Sequence, residues 1–270
     1  MSLSSVLFLF LAHLGVGIVC TLLFVGREAG VKFFRFNAGL AAVLIGVALA
    51  FRWQDLAAHQ TLGAQLALFA LEVSEAALLV YWATVGRMLA RVRPLIVAVT
   101  IGAGLTALVL QALEVSMAWS VPAQALTVAS FLSSAALLGG ACTAMILGHW
   151  YLVIPSMPVN LLQSIVKLHI ASMVVRVAVV AAAVFVAIAT WEPGTGPSFR
   201  YYIMSVSGIF FWQRVLFGLA GPAVLSYLTW ETAKIRSTQS ATGILYVDFF
   251  TVVVGEVLAK YILLATRVAV

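Results

Sequence analysis

The sequence predicts an all-α fold, a polytopic integral membrane bundle of eight transmembrane helices with N and C termini outside. Three observations predict it. Of the 270 residues, 64% are apolar and 9% are charged, where a soluble domain carries roughly 25% charged residues. A mean hydropathy of +1.13 makes lipid the solvent for most of the surface, because so few charges cannot cover a globule in water. The chain also divides into continuous apolar runs of about 20 residues, the length that crosses a bilayer. Barrel strands would instead alternate in segments of about 10 residues.

Each run has its own boundaries. The first, 4–25, has no basic stretch before it and is followed at once by Arg27, Lys32 and Arg35, so it reads as a first span and not as a cleaved signal peptide. The second, 36–52, stops at Arg52 and Trp53, and the third, 62–85, stops at the cluster Arg87, Arg91 and Arg93. The fourth and fifth, 94–117 and 123–149, are separated by Trp119, and the fifth closes with 148-GHWYLVIP-155. The sixth, 161–190, ends at Trp191; the seventh, 202–230, carries Gly218, Gly221 and Pro222, a cluster that permits close helix approach and a kink. The eighth, 241–265, follows the polar connection 231–243. No joining segment is long enough for an extramembrane domain, so residues 1–270 form one transmembrane unit.

Basic residues set the orientation. Arg27, Lys32, Arg35, Arg87, Arg91, Arg93, Lys234 and Arg236 fall on one side, against Arg52, Arg200 and Arg267 on the other. By the positive-inside rule the first group is cytoplasmic and both termini face out. Trp53, Trp119, Trp191 and Tyr201 then mark the outer boundary, and Trp150, Tyr151 and Trp230 the inner one. The net charge of +6 is thus topology information; with no continuous basic stripe to follow phosphates, nucleic acid is not an expected partner. Cys20 and Cys142 lie inside apolar runs without CxxC spacing and read as buried thiols.

Ionisable side chains at membrane depth are costly unless paired or hydrated, and so mark candidate functional positions. Glu72, Glu75, Glu114, Asp248, Glu256, Arg176, Arg214 and Lys260 fall within predicted spans. At about 1.5 Å per residue, Glu72, Glu75, Arg214, Glu256 and Arg176 are expected to share a central layer. Glu72 and Glu75, at i and i+3, share a helix face. Both cannot be ionised cheaply there unless Arg214 or Arg176 stands between them, which suits one of them to receiving a proton. The competing view is a buried ion pair of these acids with Arg214 that fixes helix packing. Glu256 and Lys260, at i and i+4, form a structural pair with Lys260 free to snorkel. Asp248 is close enough to the inner face to be hydrated from the cytoplasm or to begin a proton path, and Glu114 reads as interfacial.

The histidines separate by depth. His13 and His169 are the pair nearest to matching depth for bis-histidine ligation of a b-type haem. His149 reads as a polar anchor at the inner boundary or a contact for a quinone or lipid head group. His59, close to Arg52 and Asp55, reads as a loop residue that could line the mouth of a site floored by Glu72 and Glu75. No HExxH, P-loop, nucleophile triad or dinucleotide fingerprint occurs in a usable context.

The closing helix 243-GILYVDFFTVVVGEVLAKYILL-264, with Gly255–Glu256 and a basic residue four on, and the stretch 31-VKFFRFNAGL-40 after the first span complete a layout that resembles the eight-helix membrane anchor subunits of the DMSO-reductase and polysulphide-reductase type. That resemblance implies a quinone or quinol site near the outer face, built by polar residues of the first few helices, with His13, His59, Glu72 and Glu75 as matching candidates. It also implies that no redox cofactor resides in this chain, and that electrons pass to an iron–sulfur or cytochrome partner subunit.

The leading expectation is therefore a quinone-interacting subunit of a redox complex in the bacterial inner membrane. Menaquinone or ubiquinone would be the small-molecule partner, with Glu72 or Glu75 exchanging the proton and His13 or His59 hydrogen-bonding a ring oxygen. A transporter or proton-conducting channel would use the same charges as a path from Asp248 through Glu256 to Arg214 and Glu72. A haem-bearing cytochrome b and a purely structural anchor complete the alternatives.

Overall fold

The computed structural model describes residues 2–53, 61–191 and 198–270. All regular structure among them is helical, and eight helices are long and apolar enough to cross a membrane. α1 (Leu3–Thr21) starts at Ser2, whose hydroxyl accepts from the Ser5 amide, the usual relief for an unpaired amino-terminal N–H. A short 3-10 turn carries that span to Phe24, and α2 (Gly30–Trp53) follows. α3 (Leu62–Thr84), capped by Thr61, and α4 (Arg93–Ser116) form a hairpin. Gly86 turns between them with φ of 73°, where a Cβ would collide with Val31.

α5 (Val121–Val153) and α6 (Asn160–Ala189) follow. Pro122 sits in the first turn of α5, and Pro155 stands two residues past its end, where neither ring interrupts the ladder. The seventh span is assembled from pieces. A separate short helix, α7 (Phe199–Met204), stops where Ser205 is extended, and the span proper runs from Val206 to Lys234 as α8 (Ile209–Val215), a π-helical segment (Leu216–Ala220) and α9 (Gly221–Lys234). The sequence predicts one run over 202–230; the extended backbone at Ser205 instead divides its start. α10 (Thr238–Thr266) ends at Arg267 in the left-handed region.

Burial separates the centre from the rim. In the most apolar stretches of the first and fifth spans 78% and 83% of residues are buried, against 28–39% in the other six. α1 and α5 thus form the axis. They approach closely because Gly17 and Gly139 face each other: a Cβ on Gly17 would lie 2.0 Å from the Ala135 carbonyl oxygen. Thr21 links the same helices, with its Oγ1 2.7 Å from that of Thr143. α6 and α10 pack on α5, α8 and α9 on α10, and α2 on α1, while the α3–α4 hairpin closes one flank.

Candidate functional site

Five helices bring polar groups into the dry centre. Glu256 of α10, fully buried, is held by Arg176 of α6 in a two-point contact, Nε to Oε1 at 2.9 Å and Nη2 to Oε2 at 3.1 Å. Arg214 of α8 donates to Oε1 at 2.8 Å, and Lys260 stands 3.8 Å from Oε2. Arg176 spends its remaining donors on the Ser130 hydroxyl at 2.7 Å, the Ser130 carbonyl at 3.2 Å and the Val270 carbonyl at 3.1 Å. Every N–H of that guanidinium is therefore used. Arg214 is the opposite: it is fully buried, yet its Nε and Nη1 have no hydrogen-bond partner among the described residues. It reaches Glu256 because Gly218 and Gly255 bring the π-helical segment and α10 into backbone contact. π-Bulges of this kind occur frequently at functional sites.

Ser134 of α5 organises the other side of Glu256. Its hydroxyl donates to Oε2 and accepts from Lys260 at 2.8 Å. His13 Nδ1 lies 3.2 Å from the same oxygen. With the one hydroxyl proton committed to Glu256, a neutral His13 donates through Nδ1, and its buried Nε2 has no hydrogen-bond partner among the described residues. Phe131 covers both groups, 4.7 Å from the His13 ring and 5.2 Å from Lys260 Nζ. Lys260 therefore turns inward, 2% exposed, and does not snorkel as the sequence predicts, since Ser134, Glu256 and Phe131 offer a partnered place in the core.

The remaining sequence candidates fall elsewhere. Arg176, Arg214 and Glu256 meet as expected, but Glu72 and Glu75 do not join them. Equal depth does not imply equal direction, and α3 packs against α2 and α4, not against α8 or α10. Glu75 is half-buried with Oε2 unpartnered among the described residues, and Glu72 faces outward. Asp248, for which the sequence leaves open hydration from the cytoplasm or the start of a proton path, is fully buried with Oδ2 2.7 Å from His169 Nε2, a close approach without the alignment of a hydrogen bond. His13 and His169 are not brought together for a haem. His13 meets α5 at Ser134 and His169 meets it beside Gly140, positions about 120° apart around that helix. His149 Nδ1 lies 2.9 Å from the exposed Tyr246 hydroxyl, a surface contact. His59 and Asp55 lie outside the described residues, as does the side chain of Trp53.

Among the described residues, cavities of two sizes open near the helix ends that carry the chain termini. The larger, about 1130 Å³, is walled by α5, α6, α7 and the end of α10, with Trp119, Thr127, Tyr201, Tyr202, Arg267 and Ala269 among its lining. Thr127 and Ala269 neighbour Ser130 and Val270, so it lies directly above Arg176. The smaller, about 140 Å³, lies among α1, α3, α4 and α10. Its polar lining is Ser5, Arg52, Gln111 and Glu114, set among Phe8, Leu9, Ala67 and Leu264. Gln111 is 5% exposed, and neither its amide nitrogen nor its amide oxygen has a hydrogen-bond partner among the described residues. Arg52, which crosses the Phe8 ring at 5.8 Å, comes from the end of α2. Gln111 was not among the sequence candidates, because an amide in an apolar run carries no charge to draw attention. Its signal was an i, i+3 spacing to Glu114 on one helix.

No family model matches this chain, and no curated protein matches it in sequence.

Proposed function

We propose that the chain is the quinone-interacting membrane subunit of a bacterial redox complex in the cytoplasmic membrane, and that the quinone head group sits in the small cleft walled by Gln111, Arg52 and Glu114. The observation that carries the reading is the Gln111 amide. A buried amide with both ends unpaired is rare, because each unmade hydrogen bond costs about 1–3 kcal/mol. A ligand that accepts at one point and donates at another repays that cost, and a quinone–quinol couple does both at its ring oxygens. Volume supports the same reading: about 140 Å³ is close to the roughly 150 Å³ of an apolar cavity that holds benzene, so a single-ring head group suits it. Apolar walls with a few convergent polar groups are the usual make-up of such sites.

Within the cleft the Gln111 N–H would hold a ring oxygen, Arg52 would favour negative charge building on that oxygen, and Glu114 would take the hydroxyl proton of the reduced ring. Glu72 and Glu75 do not line this cleft. The Ser74 hydroxyl donates to the Thr100 carbonyl at 2.7 Å and fixes the α3–α4 register, which sets the two acids about 13–18 Å farther along the hairpin than Gln111. Electrons would pass to a separate iron–sulfur or cytochrome subunit. The loose likeness to the DMSO-reductase and polysulphide-reductase anchors, with their site among the first helices, agrees with this placement.

The test is equilibrium binding of a short-chain ubiquinone analogue to the purified chain. Gln111→Leu is expected to weaken binding at least tenfold, about 1.4 kcal/mol, while Glu75→Gln leaves it unchanged. Equal affinity in wild type and Gln111→Leu would remove the cleft from the account.

A second reading, a proton-conducting unit, rests on two observations. The buried His169–Asp248 contact and the Glu256 cluster occupy the same inward stripe of α10, and the large cavity lies over Arg176. It requires proton flux through the reconstituted chain alone, reduced by Asp248→Asn.

A further inference from the structure

α3 carries a carboxylate on the surface that a bilayer would cover. Glu72 lies about 15 Å from the Leu62 end of the helix and about 18 Å from the Thr84 end, the middle of the span. It is exposed, and its neighbours along the same outward face, Phe69, Ala76 and Leu79, are exposed and apolar. Among the described residues Glu72 has no ion pair and no hydrogen bond. The other charges within the spans differ. Arg176, Arg214, Lys260, Glu256 and Asp248 turn inward and meet opposite charges, and Glu75, one turn along α3, is half-buried with Oε2 unpartnered among the described residues.

A glutamate side chain is too short to carry its charge from the middle of the span to a polar interface, so hydrocarbon alone is a poor neighbour for this face. Charge complementarity selects the occupant. A second copy of this chain docked through the same patch would set Glu72 against Glu72, with Gln65 about two turns away as the other polar group on that face. A cation brought by a different chain meets no such opposition.

We infer that the outward face of α3 is the contact surface for a transmembrane helix of a different protein, one that places a lysine or arginine opposite Glu72. The inference goes beyond the quinone reading and does not depend on it, since the cleft lies on the other face of the hairpin's far end.

Site-specific photo-crosslinking in native membranes tests it, with a photoreactive amino acid at Ala76 and a control at the exposed Val175 of α6. The expected result is an adduct from position 76, and not from 175, to a membrane-spanning peptide that contains Lys or Arg. The adduct should fall at least tenfold in Glu72→Leu and in Glu72→Gln, persist in Glu72→Asp, and return in Glu72→Lys when the partner's cation is exchanged for glutamate. Isolated Glu72→Leu should unfold at the wild-type temperature, because the side chain holds nothing within this chain. Lipid adducts alone, an adduct to a second copy of this chain, a partner span without a cation, or an adduct indifferent to Glu72→Leu and Glu72→Gln would each overturn the inference.

Discussion

Glu256 illustrates how a single buried carboxylate can set the positions of several helices. It receives Arg176 at 2.9 and 3.1 Å and Arg214 at 2.8 Å, all without solvent. Removing one member of a buried ion pair leaves uncompensated charge, at a cost of about 3–5 kcal/mol. Glu256→Gln is therefore expected to lower the thermal unfolding temperature of the purified protein sharply, because two guanidinium groups and Lys260 lose their counter-charge together. An unchanged unfolding temperature would mean that the arginines are neutralised by something other than Glu256. At this scale the sequence was partly legible. That Arg176, Arg214 and Glu256 share a layer follows from helical rise alone. That Glu72 and Glu75 point elsewhere does not, because depth is a one-dimensional reading and the direction of a side chain depends on which helices are neighbours. Ser134 was illegible for a different reason: a serine in an apolar run most often bonds its own backbone, and only the packing of α1 and α10 against α5 recruits it to Glu256, Lys260 and His13.

Helices approach where small residues let their backbones meet, and two such crossings shape this protein. Gly17 against Gly139 joins the central pair α1 and α5, and Gly218 against Gly255 joins the π-helical segment to α10. A Cβ on Gly255 would lie 2.1 Å from the Gly218 Cα and 3.1 Å from Arg214 Nη1. Gly255→Ala must therefore separate the two elements and pull Arg214 from Glu256. The expected loss is about 1–3 kcal/mol from overpacking, read as a lower unfolding temperature. It should be less than additive with Arg214→Met, since both changes remove the same contact. Wild-type stability in Gly255→Ala would contradict the crossing. Gly218, Gly221 and Pro222 mark this region in the sequence as a place of close approach and kinking, yet a widened turn in the helix leaves no compositional trace. The short helix α7 was hidden for a similar reason: the apolar run continues through Ser205, while the backbone there is extended.

The molecule as a whole is a helical membrane bundle whose eight spans were legible from composition and hydropathic runs, because a bilayer allows so few alternatives for backbone hydrogen bonds. Its candidate site was less legible. Charge marks α3, α8 and α10, whereas the cleft that supports the proposed function depends on Gln111, a neutral residue whose significance lies in having no partner among the described residues. Two polar regions thus coexist: a cluster that locks α6, α8 and α10 to α5 through Glu256, with Arg214 Nε and Nη1 and His13 Nε2 left without partners among the described residues, and a cleft among α1, α3, α4 and α10 where the Gln111 amide is unpaired at both ends among the described residues. Division of this kind suits the proposed function, in which a rigid bundle would bind and release a lipid-soluble ligand. The most direct measurement is photolabelling of the purified chain with an azido-substituted short-chain quinone, followed by peptide mapping. Label is expected on residues within 5–9, 64–68 and 111–115, displaced by excess unlabelled quinone and lost in Gln111→Leu. Labelling confined to the large cavity around Tyr201 and Tyr202, or labelling that Gln111→Leu leaves intact, would contradict it.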